Sequence, residues 1–210
     1  MELEALMLNS KTTGYMLIMG LVAVIVVIIA IAMQAQDGTA AELVAWAAEN
    51  ESTWQIVVPV NMIANLLLVI FTVGFVSWAK SIDQSNGAIT IGKYLALLAL
   101  FLIWVGDLSQ VAAFNTAADN TDAAHALVSL SREFTWLGIS TLLASFFVVG
   151  TVAYMKKSGT PALNGLLGLV GIVGSVGAFI PAEWSDLFWV FGFVIGMGLL
   201  AIIGVQKVRS

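Results

Sequence analysis

The sequence contains no cysteine and a single histidine, His125. Without cysteine, the chain forms no disulfide, thiolate metal site, iron–sulfur cluster or cysteine nucleophile. One histidine excludes a bis-histidine haem and a histidine-rich copper or di-iron site within this chain. The phosphate-binding loop, the dinucleotide-binding glycine pattern, the zinc-protease helix motif and the serine-hydrolase elbow are also missing. We therefore expect no bound metal or cofactor and no catalytic activity of the chain by itself.

Charge is scarce as well. Charged residues make up 10% of the chain and apolar residues 60%, and the mean hydropathy is +0.99. A soluble domain of this length carries far more charge on its surface. The apolar residues also occur in runs of about 18 or more, the length that spans a bilayer. No basic stripe or motif points to nucleic acid. The composition predicts a membrane protein in contact with lipid.

The apolar runs predict an all-α fold, a single transmembrane domain over 1–210 built as a bundle of six transmembrane helices. The predicted spans are 14–33, 56–79, 94–114, 135–155, 162–181 and 187–206. The first span is expected to be a retained helix rather than a cleaved signal peptide. Two long connections, 34–55 and 115–134, are expected outside the membrane. The first includes AAELVAWAAE, which favours a short interfacial helix; the second favours an outward extension of the fourth helix.

Basic residues predict the orientation. Of the eight basic residues, only Arg132 falls in an external connection. The other seven fall on the side shared by the two termini and the remaining connections: Lys11, Lys80, Lys93, Lys156, Lys157, Lys207 and Arg209. Because basic residues concentrate in cytoplasmic loops, we expect both termini in the cytoplasm and the chain in the inner or plasma membrane.

Glycines recur in the last two predicted spans. The fifth span has one at every third position, and the sixth adds a pair four residues apart: Gly165, Gly168, Gly171, Gly174, Gly177, Gly192 and Gly196. Small residues let helix backbones approach closely in lipid. The glycines thus favour close packing of these two helices, with self-association or binding of other membrane chains through them. A flexible or gating helix is the alternative.

Asp107 is the ionisable residue predicted to lie deep in the bilayer, within the third span. A carboxylate at such depth is costly unless it is paired, hydrated or protonated. Gln110 follows three residues later on the same face, and Asn61 and Asn65 lie one turn apart on the antiparallel second span. Because a short connection joins these two spans, we expect the four side chains to converge. Pro59 frees a backbone carbonyl nearby and favours a wider region there.

This polar cluster has two interpretations. It is either a buried structural contact that holds two helices together, or a site for a proton, a cation or a polar solute. A closed, dry cluster favours the first, and a cavity that reaches Asp107 favours the second. His125 lies among scattered carboxylates in the second external connection, and this arrangement is more typical of a solvated loop than of a metal site.

The stretch LGISTLLASFFVVGTVAYMKKSGTPALNGLLGLVG (137–171) resembles a family of uncharacterised multi-pass bacterial membrane proteins, known as a domain of unknown function. The resemblance is carried by Leu142, Leu143, Gly150, Tyr154, Ser158, Gly159, Pro161, Gly165, Leu166 and Leu167. The opening segment TGYMLIMG (13–20) is similar to that family's first helix. Between Ser-Gly and Pro this chain has one residue fewer, and it has Asn164 where leucine is usual. The resemblance implies a six-helix topology and leaves the function open, because the family has no established activity.

Three functions follow from these expectations. The first is a non-catalytic integral membrane subunit that packs with other membrane chains or lipid. The second is a small proton- or cation-coupled transporter or channel with its polar site around Asp107. The third is an intramembrane enzyme whose cofactor is shared with partner chains.

Overall fold

The computed structural model describes residues 8–33, 39–177 and 182–210, with side chains in the last range from 191 onwards. Within these residues the protein is entirely helical, with seven α-helices and no strand. The helices are α1 Ser10–Ala32, α2 Ala40–Glu49, α3 Glu51–Ile82, α4 Gly87–Thr116, α5 Thr121–Met155, α6 Pro161–Gly177 and α7 Ala182–Arg209. The predicted all-helical fold is confirmed.

Five of these helices are long and apolar enough to cross a membrane. They are α1, α3, α4, α5 and the Phe191–Arg209 part of α7. The predicted span 162–181 coincides with α6, an apolar helix of 17 residues; its last four residues, 178–181, lie outside the described part of the chain. Both predicted external connections are partly helical, because α2 occupies 40–49 and α5 begins at Thr121.

Several helices start at a polar capping residue that precedes the apolar part of the helix. The Asn86 side chain accepts hydrogen bonds from the Ala88 and Ile89 amides at the start of α4. Thr39 and Glu42 form a reciprocal capping box on α2, and Asn120 caps α5. These side chains satisfy amides that have no partner within the helix. As a result, α4 and α5 start well before their predicted spans.

The six longer helices form a closed ring in the order α1, α3, α4, α5, α6, α7, with α7 returning to α1. Phe71, Phe75 and Phe146 are fully buried at its centre, with ring centroids 5.5–6.2 Å apart. Of the six neighbouring pairs, α3 and α4 share the least extensive contact. The ring is therefore tight everywhere except between these two helices.

Glycines make the close helix crossings. A Cβ on Gly192 would lie 2.9 Å from the Gly174 Cα, and one on Gly196 would lie 2.9 Å from the Phe146 ring. Gly168 faces Thr151, and Gly171 lies directly against the Phe147 backbone. The glycine face of α6 is thus covered by α5 and α7 of the same chain.

The two ends of the ring differ in chemistry. At one end the Ser10 hydroxyl at the start of α1 donates to the Lys207 carbonyl near the end of α7, at 3.1 Å. Lys156 and Asp83 form an ion pair of 2.8 Å there. At the opposite end, α2 packs over α4 and α5, and the rings of Trp46 and Trp54 each lie 6.1 Å from that of Phe114. Both described termini therefore lie at the end that is rich in basic residues.

Candidate functional site: an intramembrane carboxylate between two cavities

Asp107 and Asn65 meet across the α3–α4 contact. The Asn65 side-chain amide Nδ2 donates a hydrogen bond of 2.7 Å to Oδ2 of Asp107. Asp107 lies within the apolar α4, about 14 Å from the end of the helix at Thr116 at a rise of 1.5 Å per residue. Both side chains are partly buried. The surroundings of Asp107 offer few hydrogen-bond donors, and this bond supplies one of them to a single carboxylate oxygen.

An interior cavity of about 230 Å³ lies on one side of this hydrogen bond. Asn61, Asn65 and Asp107 line it together with apolar side chains from α1, α3, α4, α5 and α7, among them Ile28 and Phe193. Thr135 on α5 supplies a further hydroxyl. The cavity is therefore an apolar space among these helices with its polar groups mainly on the α3–α4 side. It is partly open to the surface, because Ile28 and Ile31 in its lining are 53% and 45% exposed.

A groove of about 330 Å³ lies on the other side, between α3 and α4 on the outer face of the ring. The same three residues, Asn61, Asn65 and Asp107, line it. Its rim is formed by Met62, Leu66 and Leu108, which are 61%, 59% and 66% exposed. These apolar side chains lie on helices long and apolar enough to cross a membrane, so lipid would face the groove in a bilayer. We call it the α3–α4 groove.

Of the four residues expected to converge, the structure brings three together. Asn61, Asn65 and Asp107 line both the interior cavity and the α3–α4 groove. Gln110 is partly buried one turn further along α4 and lines neither. Pro59 lies inside α3, two residues before Asn61. Because proline has no N–H, the carbonyl four residues earlier, at Gln55, lacks its usual helical donor.

The carboxylate has no described cationic partner. The ion pair found among the described side chains is that of Lys156 with Asp83, at the distant end of the ring. No group of three or more histidine, aspartate or glutamate side chains close enough to hold a metal occurs in the described ranges. Asp107 in its apolar setting can therefore accept hydrogen bonds or pair with a cation that a ligand supplies.

Sequence reasoning missed Trp104 and the two cavities. Trp104 precedes Asp107 by three residues, so both lie on one face of α4, and Trp104 lines the α3–α4 groove. The three-residue spacing from Asp107 could have indicated that Trp104 belongs to the site. Tryptophans are typical of membrane boundaries, however, so Trp104 did not stand out among the others in the chain. The cavities depend on the packing of α3 against α4, for which the sequence has no direct signal.

No protein-family model, curated protein or solved structure matches this chain. The resemblance over 137–171 therefore stays a prediction. The fold and the site define a class: a multi-pass helical membrane protein with a carboxylate between an interior cavity and a lipid-facing groove.

Proposed function

We propose that this chain is a small membrane carrier that binds its solute at Asp107, Asn61 and Asn65. The observation that supports the proposal is that two cavities adjoin the same carboxylate. A residue that only holds two helices together needs no open space around it. A carrier does need such space, because its solute has to reach the polar group and leave it.

The topology of the carrier is part of the proposal. It has six spans, α6 being the short one, with both termini in the cytoplasm and the chain in the inner or plasma membrane. The described ends of α1 and α7 lie together, and basic residues cluster at that end of the ring. The positive-inside rule assigns such an end to the cytoplasm.

A second candidate is a non-catalytic subunit that binds other membrane chains or a second copy of itself through α6 and α7. Two observations favour it. The Asn65–Asp107 hydrogen bond joins the two helices whose contact is least extensive. Gly198 on α7 has open space where a Cβ would lie, so a partner helix has room to approach it. In this candidate Asp107 serves only to stabilise the ring.

Ligand-dependent thermal stability tests the carrier proposal. Purified wild type and Asp107→Asn are heated in mild detergent with a panel of small cations, amines and polar solutes. A ligand that binds only the folded state adds about 2.7 kcal/mol to the free energy of unfolding when its free concentration is about 100 times its Kd. We expect solutes that stabilise the wild type and fail to stabilise Asp107→Asn.

The matched control is Asp119→Asn, the same chemical change at an exposed position beyond the end of α4. It should respond to ligands as the wild type does. The carrier proposal is rejected when no solute distinguishes Asp107→Asn from Asp119→Asn. The subunit candidate instead predicts that Asp107→Asn lowers stability without ligand and that partner chains purify with the wild type in fixed stoichiometry.

A further inference from the structure

We infer that the ligand of this site is a small lipophilic amine that reaches Asp107 from the bilayer, through the α3–α4 groove. This inference rests on the proposed carrier function and names its substrate class and its route. Three observations carry it: the chemistry of the groove, the position of Trp104, and the sharing of Asp107 by the two cavities.

The groove selects for an apolar body with a donor-bearing, positively charged head. Apart from Asn61, Asn65 and Asp107 its lining consists of apolar and aromatic side chains. A strongly hydrated ion or sugar loses its water there and finds too few groups to replace it. An alkyl or aryl body packs favourably against Met62 and Leu66. An ammonium group supplies the charge that the Asp107 carboxylate lacks among the described side chains, with charge-assisted hydrogen bonds.

Trp104 adds a second recognition element for a cation. It lies one helical turn from Asp107 on the same face of α4 and is 39% exposed in the groove. An ammonium group close to an indole face is attracted by the ring quadrupole. Aromatic ring and carboxylate therefore offer a head group two favourable contacts. A neutral alcohol of the same length gains neither contact fully.

The route follows from the residues that the two cavities share. Asn61, Asn65 and Asp107 line the groove and the interior cavity alike, so the Asn65–Asp107 hydrogen bond lies on the boundary between them. An ammonium that binds Asp107 from the groove can pair with Oδ1, the carboxylate oxygen that the Asn65 amide does not bond. Since the α3–α4 contact is the least extensive in the ring, this is where the ring can open sideways. The head group then enters the interior cavity.

The size of the groove limits the ligand. Small-molecule sites in proteins occupy about 300–1,000 Å³, and the groove, at about 330 Å³, is near the lower bound. A short-chain or single-ring amine fits this space, whereas a two-tailed phospholipid does not.

Photolabelling in liposomes tests the substrate class. The probe is an octylamine derivative with a diazirine in its chain, with octylamine and octanol as competitors. We expect adducts at groove residues such as Met62 and Leu108, suppressed by octylamine and not by octanol. Asp107→Asn should reduce specific labelling at least 10-fold. Trp104→Leu should weaken octylamine competition roughly 3- to 10-fold, while Phe101→Leu, an exposed aromatic on α4 outside the groove lining, should leave it unchanged.

Blocking the groove at a chosen site tests the route. Because the chain has no native cysteine, a maleimide reacts only with the cysteine that is introduced. A bulky lipid-soluble maleimide is attached to Leu66→Cys in the groove or to Phe101→Cys outside it. We expect octylamine affinity to fall about 10-fold for the first and not for the second. Equal affinity in the two modified proteins overturns the lateral route.

The failures of the two proposals are distinguishable. Labelling that octanol suppresses as well as octylamine does, or that persists in Asp107→Asn, overturns the amine inference as simple partitioning. If hydrophilic solutes stabilise the wild type through Asp107 while octylamine does not bind, the carrier function stands and the amine inference falls. If no solute of any kind depends on Asp107, both fall.

Discussion

At the scale of the residue, the central feature is a carboxylate held by one described amide in an apolar setting. Asp107 and Asn65 are placed together by the antiparallel course of α3 and α4 and their short connection. This proximity was expected from the sequence, because Asn61 lies at about the depth of Asp107 and Asn65 lies one turn further on the same face. The cavities beside them were not, since open volume depends on how every neighbouring side chain packs.

The ion pair of Asp83 with Lys156 gives a pH-dependent prediction. The hydrogen bond from Lys156 lowers the pKa of Asp83 below its ordinary value. A depressed pKa stabilises the fold fully above the pKa of the unfolded chain, about 3.9, and this contribution is lost as the pH falls through the folded-state pKa. Asp83→Asn should therefore lower the melting temperature slightly near neutral pH, and the difference from the wild type should vanish at strongly acidic pH.

The control for this pair is the Lys156→Gln background. There, Asp83→Asn should have a smaller effect, because the largest cause of the lowered pKa of Asp83 is gone and only the hydrogen bonds from Ser85 remain. A melting-temperature difference that is the same at all pH values, or that is undiminished in Lys156→Gln, contradicts the assignment. The measurement is thermal unfolding in detergent across a pH series.

At the scale of the element, the glycines of α6 decide how closely it approaches α5. Gly171→Ala would place a methyl group against the Phe147 amide and the Leu143 carbonyl, both backbone groups that have little freedom to move. Overpacking of this kind costs typically about 1–3 kcal/mol. We expect Gly171→Ala to lower the melting temperature, and Gly198→Ala, which has open space around it, to leave it unchanged or raise it. Equal effects of the two variants would contradict the packing described for α6.

Phe114 is part of the apolar cluster that holds α2 at the end opposite the termini. Phe114 is 4% exposed and packs against both Trp46 and Trp54. Phe114→Ala removes both contacts, and truncation of a buried phenylalanine costs about 3–5 kcal/mol. Amide hydrogen exchange in α2 should accelerate, while Phe101→Ala, an exposed position on the same helix, should leave exchange in α2 as it is. Unchanged exchange in Phe114→Ala would mean that α2 is held by other contacts.

Sequence patterns predicted the existence of the helices better than their ends. Long apolar runs are unambiguous, because a chain must satisfy its backbone hydrogen bonds within each span in a membrane. The early start of α4 was missed because its cap, Asn86, lies in a polar segment that hydropathy does not count. The outward extension of the fourth span was expected, and α5 begins at Thr121. The crossing of Gly14 with Gly204, which joins α1 to α7, was also missed. It pairs glycines from opposite ends of the sequence, and a single sequence does not show that they meet.

At the scale of the whole molecule, the helices form a closed ring in which the α3–α4 contact differs from the others. Five of its six neighbouring contacts are extensive, and the remaining one carries the carboxylate and the groove. The clustering of basic residues beside the joined ends of α1 and α7 supports an orientation with that end in the cytoplasm. The least extensive contact of the ring thus adjoins both the groove and the polar site.

Orientation is testable with the same cysteine-free background. In sealed cells, a membrane-impermeant maleimide should label Asp119→Cys, beyond the end of α4, and should label Asp83→Cys only after the membrane is permeabilised. Both positions lie between helices at opposite ends of the ring. The reverse labelling pattern would invert the proposed topology, and labelling of both from outside would contradict the crossing of α4.

The central claim is that Asp107 binds a small molecule, and native mass spectrometry of the protein purified from its own membrane in mild detergent tests it most directly. We expect a fixed low-mass ligand on the wild type and on Asp119→Asn, and none on Asp107→Asn. Ligand-free spectra for all three proteins, or a wild type found only with a stoichiometric partner chain and an empty site, would contradict the carrier function.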